Sequence, residues 1–144
     1  MEQKIRIMQI YRDLIDSIEI TKSELVCIMR LQPSTQSDVY TVKISYKLSH
    51  FSPQVWLLSP EIQKCDGKYP HHVYEKDKYG HYRLCVFDPK RKEWNQQLFI
   101  AEAFIPWICT WLNTYEYWLV TGKWHYDEAF SRGNQRNKHG LTVK

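Results

Sequence analysis

The sequence predicts an α+β fold, because three patterns of residue spacing follow one another along the chain. Apolar residues near the start recur at helical spacing, apolar and polar residues then alternate, and helical spacing returns after Trp94. Helices and strands that occupy separate parts of a chain are typical of α+β proteins. With 144 residues the chain suits one domain, which we place at residues 1–130. The remaining residues, 131–144, are polar and basic and predict a flexible tail.

A first helix is predicted at the start of the chain. Apolar and aromatic side chains fall on one helical face there: Ile7, Tyr11, Leu14, Ile15 and Ile18. Charged residues lie between them, so we expect an amphipathic helix whose apolar face packs on the core.

Three strands of an antiparallel meander are predicted next. The first covers Leu25 to Leu31, and a turn-forming segment separates it from the second. In the second, Val42 to Leu48, apolar residues alternate with lysine and serine, as in a strand with one face on the core. The third covers Gln54 to Leu58 and is bracketed by Pro53 and Pro60, since proline tends to mark strand ends.

The second half of the sequence changes character twice. Residues Glu61 to Trp94 contain turn-forming pairs and only brief apolar runs, which predicts that most of this region is loop. Helical spacing then resumes and Pro106 interrupts it, so we expect a kink or two helices meeting there. Gly122 suits the left-handed residue that ends a helix. An aromatic row at helical spacing predicts a core stripe: Trp107, Trp111, Tyr115 and Trp118.

Charge and cysteine content narrow the functional class. Twenty Lys and Arg against sixteen Asp and Glu give a net charge of +4, which is too small to indicate nucleic-acid binding. The four cysteines form no C-x-x-C pair and the sequence shows no signal peptide, so we expect a cytoplasmic location in a reducing environment. Polar residues and a proline interrupt the apolar stretch from Leu98 to Leu119, so no membrane span is expected.

One stretch of the sequence carries a recognisable motif. Residues Tyr69 to Tyr74 read Tyr-Pro-His-His-Val-Tyr, and Gly80, Leu84-Cys85 and Trp94 follow. This order resembles the ubiquitin-conjugating family, which has a His-Pro-Asn-Val/Ile-Tyr-like segment, a glycine, a hydrophobic residue before the nucleophilic cysteine, and a later tryptophan. The resemblance implies a ubiquitin-conjugating-enzyme (UBC)-like fold with an N-terminal helix, an antiparallel meander, a long active-site loop and C-terminal helices.

Agreement is closer with a bacterial branch of that family, which is associated with cyclic-oligonucleotide (CBASS) anti-phage operons. The matching segments are Pro70 to Tyr74, Leu84 to Phe87, Glu93-Trp94, Pro106-Trp107, Trp111-Leu112, Tyr115-Glu116, Trp118 and Thr121 to Trp124. Such enzymes are thought to conjugate the C-terminus of a cGAS-like nucleotidyltransferase to a target. The resemblance therefore implies that partner, which the spacing of the residues does not identify.

Cys85 is the candidate nucleophile. A thiolate is a strong nucleophile and a good leaving group, so a cysteine can accept an activated acyl chain and later release it. The alternative is that Cys85 is a small buried hydrophobe between Leu84 and Val86. Among the other cysteines, Cys65 lies in a loop and is the second choice, whereas Cys27 and Cys109 are expected to be buried apolar residues.

Two histidines compete for the position of the family's asparagine, which is placed to help stabilise the tetrahedral oxyanion of acyl transfer. Anchoring on Val73-Tyr74 aligns His72 with that asparagine, whereas anchoring on Pro70 aligns His71. An imidazole can donate a hydrogen bond to an oxyanion or accept a proton from an amine. We favour His72 as the oxyanion donor or proton acceptor, with His71 as the alternative.

Two other functional hypotheses for these residues, a metal site and a cysteine hydrolase, have less support. A metal site from His71, His72, His81 and Cys85 lacks well-spaced ligands, so neither a metal nor a cofactor is expected. A cysteine hydrolase using Cys85 and His72 lacks a protease signature. The loop tyrosines Tyr74, Tyr79 and Tyr82 are interpreted as packing and hydrogen-bonding residues, and Trp94 as a structural wedge.

The hypothesis from sequence is therefore a UBC-like transferase that forms a thioester on Cys85 with a protein C-terminus and passes the acyl group to a target nucleophile. The chain is too short to include an adenylating domain, so a separate activating enzyme is one possible partner. The alternative is a catalytically silent UBC-like module that only binds proteins. A nucleic-acid adaptor that uses the basic tail from Ser131 to Lys144 is a third hypothesis.

Overall fold

The structure, a computed structural model, describes residues 1–47 and 49–124. Its helices and strands are α1 (Glu2–Tyr11), β1 (Ile15–Ile20), β2 (Glu24–Leu31), β3 (Tyr40–Lys47), β4 (Gln54–Ser59), β5 (Val73–Lys76), β6 (Tyr82–Leu84) and α2 (Ile105–Thr121). Short 3₁₀ turns occupy Arg12–Leu14 and Pro89–Arg91, and a π-helical turn, Ile100–Phe104, leads into α2. The predicted α+β class is confirmed. The predicted tail, 131–144, lies outside the described residues.

The described strands form one antiparallel sheet in the order β1-β2-β3-β4-β6-β5. Strands β2 and β3 pair along their full lengths, from Glu24 opposite Lys47 to Leu31 opposite Tyr40. At the other end, β6 joins β4 through one residue pair, Trp56 opposite Arg83. The predicted meander is thus confirmed, and it is extended by a short hairpin that continues the sheet.

A single hydrophobic core lies between the sheet and the C-terminal helix. Residues facing it alternate along the strands, as a pleated sheet requires. From the sheet it contains Leu25, Cys27, Met29, Leu31, Val42, Ile44, Val55 and Leu57, and from α2 it contains Ile108, Trp111, Leu112, Tyr115 and Trp118. The core therefore fixes α2 against the meander and provides a framework for the loops at its edge.

The first helix is shorter than predicted. It ends at Tyr11, and Ile15 and Ile18 lie in β1 instead. The strand register shifts between Ile15 and Ser17, so Ile15 lies opposite Met29 and Ile18 opposite Cys27, both of which face the core. A β-bulge of this kind places residues three apart on one face of a strand, which imitates helical spacing.

The region predicted to be mostly loop, Glu61 to Trp94, is mostly loop, and it also contains the two short strands β5 and β6. The sequence did not predict these two strands, because three- and four-residue strands leave almost no alternation to detect. Each is too short to be stable alone and depends on its neighbours in the sheet. Leu48, the last residue of the predicted second strand, is outside the described residues.

The C-terminal helix follows the predicted pattern. The π-helical turn meets α2 at Pro106, which occupies the first turn, where its missing N–H costs least. Gly122 ends the helix with φ +76°, and its N–H donates to the Trp118 carbonyl at 2.7 Å. Trp111, Tyr115 and Trp118 are buried, whereas Trp107 is half-buried. Over the described residues, the helices do not combine the length and apolarity needed to cross a membrane.

Candidate active site around Cys85

The β5–β6 hairpin brings the two halves of the sequence motif together. Val73 lies opposite Leu84 in the antiparallel register. The pairing continues by one residue, because the Cys85 N–H donates to the His72 carbonyl at 3.1 Å. The histidine-containing segment and the cysteine-containing segment are therefore neighbours across a strand pair, although thirteen positions separate His72 from Cys85 in the sequence.

The same carbonyl also connects the hairpin to the helix. The indole Nε1–H of Trp111 donates to the His72 oxygen at 3.0 Å. Because Trp111 is buried in the core and belongs to α2, this hydrogen bond fixes the hairpin relative to the framework. The backbone of Cys85 is thus held through one oxygen atom to the longest helix of the described chain.

The Cys85 thiol lies just beyond the end of β6 and is half-buried. Its Sγ is 3.6 Å from the Phe87 carbonyl oxygen, to which the S–H donates. Val73 pairs with Leu84 and His72 with Cys85, so Tyr74 lies diagonally opposite Cys85 on the same face of the hairpin, where its phenol influences the thiol. The Arg83 guanidinium carbon lies 3.9 Å from the centre of the Tyr74 ring, close enough for a cation–π interaction.

Burial is the largest influence on the thiol and raises the pKa of Cys85 above its ordinary value. The hydrogen bond from Tyr74 and the positive charge of Arg83 lower that pKa, while the carboxylates of Asp88 and Glu93 raise it. Because the net effect is upward, Cys85 is protonated at neutral pH. Burial also raises the pKa of Tyr74, to about 12, so its hydroxyl keeps its proton.

The rings of His71 and His72 belong to an aromatic group at the C-terminal end of α2. Their centroids are 4.5 Å apart, and the His72 ring stacks on Trp124 at 5.1 Å with an angle of 25° between planes. Trp124 packs edge-on against Trp111 at 5.2 Å. His72 therefore makes contacts through both its backbone and its side chain: its carbonyl accepts from Cys85, and its ring stacks on Trp124.

A comparison with known protein families decides the classification. The family model described as "E2-CBASS: Type II CBASS E2 protein" matches residues 3–132. The chain belongs to this family. A search of curated proteins found no match.

Membership of the Type II CBASS E2 family confirms the resemblance read from the sequence and implies the UBC fold. The helix, antiparallel sheet and C-terminal helix described above agree with that fold. It also implies an E2-like conjugating role in anti-phage defence, a transferase activity and conjugation partners.

The other cysteines of this CBASS E2 protein differ from Cys85 in position. Cys27 is fully buried in β2, and burial raises its pKa to about 12, which confirms the expected apolar role. Cys109, expected to be buried, is only partly so, although it packs against the core. Cys65 lies in a turn that it closes with Lys68, and its Sγ is 3.9 Å from the Leu119 carbonyl oxygen.

A metal site that includes His81 was also considered from the sequence. His81 Nδ1 lies 3.6 Å from a carboxylate oxygen of Asp77. Among residues 1–47 and 49–124, no cluster of three or more His, Cys, Asp or Glu side chains is placed to bind a metal ion.

Trp94 has the structural role predicted for it. Its side chain is fully buried and packs edge-on against Tyr46 of β3, at 5.7 Å, and against Phe104, at 6.2 Å. It also meets Trp107 at 6.3 Å. The segment that follows Cys85 is thereby anchored to both the sheet and the start of the C-terminal helix.

Sequence reasoning missed the contact between Tyr74 and Cys85. The turn that closes the hairpin gave a usable signal, since Asp77 and Gly80 are common turn residues. The Gly80 N–H donates to the Asp77 carbonyl at 3.1 Å, and Gly80 has φ +85°. A hairpin placed around that turn would have put Tyr74 on a strand paired with the strand leading to Cys85.

Proposed function

We propose that Cys85 forms a thioester with the C-terminus of a protein and passes that acyl group to a nucleophile on a target. The observation that supports this most is the pairing of His72 with Cys85, which joins the two halves of the family's active-site motif beside a half-buried thiol. Cys27, by contrast, is enclosed in the core and inaccessible to a protein tail.

The chemistry requires two acyl transfers. In the first, the Cys85 thiolate attacks an activated carbonyl carbon, the S–C bond forms, and the activating group leaves from the tetrahedral intermediate. In the second, an amine or thiol of the target attacks the thioester and loses a proton, and Cys85 departs as a thiolate. Because Cys85 is protonated at rest, loading begins with removal of its proton.

The proposed passenger is the C-terminus of a cGAS-like nucleotidyltransferase. Family membership and the resemblance of the late tryptophan-rich signature support this choice. Activation of a carboxylate requires an adenylating step, so we propose that a separate enzyme supplies the activated C-terminus. The reducing cytoplasm expected from the cysteine pattern would keep Cys85 available as a thiol.

We assign the assisting role to His72, with His71 as the alternative. Directly opposed residues of an antiparallel pair have Cα atoms roughly 4.5–5.5 Å apart, so a change of rotamer would carry the His72 ring from Trp124 towards the thioester. There a neutral imidazole would accept the proton of an incoming amine, or its N–H would donate to the oxyanion.

The test is mass spectrometry under non-reducing conditions after co-expression with the neighbouring operon proteins. We expect a thiol-labile protein adduct on Cys85, a hydroxide-labile adduct in Cys85→Ser and no adduct in Cys85→Ala. Cys65→Ser is the matched control, because it alters another partly exposed thiol and should load normally.

Two outcomes would count against the proposal. An adduct that survives in Cys85→Ala would move the chemistry to another residue. Absence of any adduct with every neighbour present would favour the catalytically silent binding module. In the loaded protein, slower discharge in His72→Ala than in His71→Ala would support the preferred histidine, and the reverse would support the alternative.

A further inference from the structure

We propose that Tyr74 is a catalytic residue whose hydroxyl donates a hydrogen bond to the Cys85 sulfur and stabilises the thiolate. The thiolate is the attacking group during loading and the leaving group during transfer, so the same contact would assist both steps. This inference rests on the proposed function, because it assigns a task to Tyr74 in the chemistry of Cys85.

The geometry of the hairpin places the two side chains together. Tyr74 follows Val73, whose partner across the ladder is Leu84, the residue before Cys85. Cys85 pairs with His72, two residues before Tyr74, so Tyr74 and Cys85 lie on the same face of the hairpin as diagonal neighbours. The thiol donates to the Phe87 carbonyl at 3.6 Å, and the Tyr74 hydroxyl is placed to donate to the sulfur from the neighbouring strand.

Arg83 holds the phenol in this position. Its guanidinium lies 3.9 Å from the Tyr74 ring centre, and one of its nitrogens is 3.6 Å from a carboxylate oxygen of Glu75. Stacking of a planar guanidinium on an aromatic ring restricts both side chains. The hydroxyl is thus oriented before any substrate arrives, which reduces the cost of using it.

The location of Tyr74 suits a catalytic role better than a role in core packing. Tyr74 is half-buried and lines a shallow pocket beside the Cys85 loop together with Gln54, Arg83, Val86 and Phe87. The pocket is also lined by Leu84 and so includes both sequence neighbours of Cys85.

The protonation state of Tyr74 supports the assignment. Its pKa is raised to about 12, chiefly by burial, so the hydroxyl remains a donor throughout the physiological pH range. Burial opposes ionisation of Cys85, and a hydrogen bond to the charged form offsets part of that penalty. Tyr74 keeps its proton in both steps, so the proton of Cys85 leaves to another acceptor.

The inference can be tested on the isolated protein, without any partner. The rate of alkylation of Cys85 by iodoacetamide is measured against pH, with the Cys85 peptide quantified by mass spectrometry so that other cysteines do not contribute. The midpoint of this rate–pH curve reports the pKa of the Cys85 thiol. In Tyr74→Phe we expect the midpoint to rise by about one pH unit, because the donor to the thiolate is lost. The matched control is Tyr79→Phe: residue Tyr79 is 69% exposed, and its substitution should leave the midpoint of the Cys85 alkylation curve unchanged.

The sign of the shift separates this role from a structural one. If removal of the hydroxyl only loosened the hairpin, Cys85 would become more exposed, and its raised pKa would fall towards the ordinary value. A fall, or no change, in Tyr74→Phe would overturn the inference. An upward shift that also appears in Tyr79→Phe would overturn it as well, because it would reflect a general effect of the loop.

The outcome is distinguishable from failure of the proposed function. An upward midpoint shift in a protein whose Cys85 never takes up a protein adduct would refute the thioester proposal and leave the Tyr74–Cys85 contact supported. Normal loading with an unchanged midpoint in Tyr74→Phe would do the opposite.

Discussion

The two ends of the sheet are constructed in different ways. From β1 to β4 the strands pair over long registers, and from β2 to β4 buried side chains alternate with more exposed ones. At the β6–β5 end the sheet is held by a few residue pairs, and Phe87, shortly after β6, packs against the rings of Phe104 and Trp107. The candidate active site lies at this second end, beside the short strands.

This difference shows where rigidity comes from at each end. In the long strands, backbone hydrogen bonds and core side chains act together, so the whole unit is expected to open only on global unfolding. The hairpin that carries Tyr74 and leads to Cys85 has few ladder bonds and is held to α2 by the hydrogen bond from Trp111.

The largest effect is expected from removing the aromatic anchor. Trp94→Ala deletes a fully buried ring and should lower the free energy of unfolding by about 3–5 kcal/mol, measured by chemical denaturation. Trp56→Ala, which removes a half-buried ring from β4, should cost about 1 kcal/mol. Similar losses in the two variants would contradict the view that aromatic packing sustains the site end of the sheet.

A smaller loss of stability is expected when the pH is raised. Cys27 in the core and Cys85 at the site end of the sheet allow the two regions to be compared. Cys27 has a folded pKa of about 12, against 9.0 when exposed, so above pH 9 the folded state binds more protons than the unfolded state. Stability therefore falls as the pH rises. By pH 10 this residue accounts for a loss of about 1.4 kcal/mol.

Denaturation at pH 8 and pH 10 measures that loss, and Cys27→Ala should flatten the dependence. Cys85→Ala should flatten it less, because the half-buried thiol at the site end remains partly solvated. A steeper effect of Cys85→Ala than of Cys27→Ala would reverse the assignment of the two environments.

The smallest effects should come from two glycines with similar backbone angles. Gly122 ends α2 at φ +76° and Gly80 lies in the hairpin turn at φ +85°, with no atom near enough to clash with an added methyl group. Gly122→Ala should cost about 1 kcal/mol of global stability, because a left-handed alanine is strained.

Gly80→Ala introduces the same strain but should reduce global stability less, since the hairpin can open by itself. Its effect should instead appear as faster hydrogen exchange of the β5 and β6 amides. Equal global losses from the two substitutions would show that the hairpin unfolds together with the core.

Much of the fold could be predicted because the long elements carry clear periodicity. The alternation in β3 and the aromatic row in α2 each extend over several residues and reflect burial directly. The error at Ile15 and Ile18 had a physical cause, because a bulge in β1 placed residues three apart on one face. Strands as short as β6 contain too few residues for any period to be read.

The sequence predicted which residues form the candidate site, but it did not predict the contacts between them. The order of motif residues singled out Cys85 and the adjacent histidines, whose catalytic roles stay predictions. The stacking of His72 on Trp124 and the contact of Tyr74 with Cys85 depend on the hairpin register and on the end of α2. Neither depends on local residue spacing, so neither could be read from the sequence alone.

The double hydrogen bond accepted by the His72 carbonyl has a consequence for how this family can change. The anchor that positions Cys85 is a main-chain oxygen, which every amino acid supplies. The side chain at position 72 can therefore be exchanged during evolution without displacing Cys85. The position of the Cys85 backbone and the chemical character of side chain 72 are therefore set independently of each other.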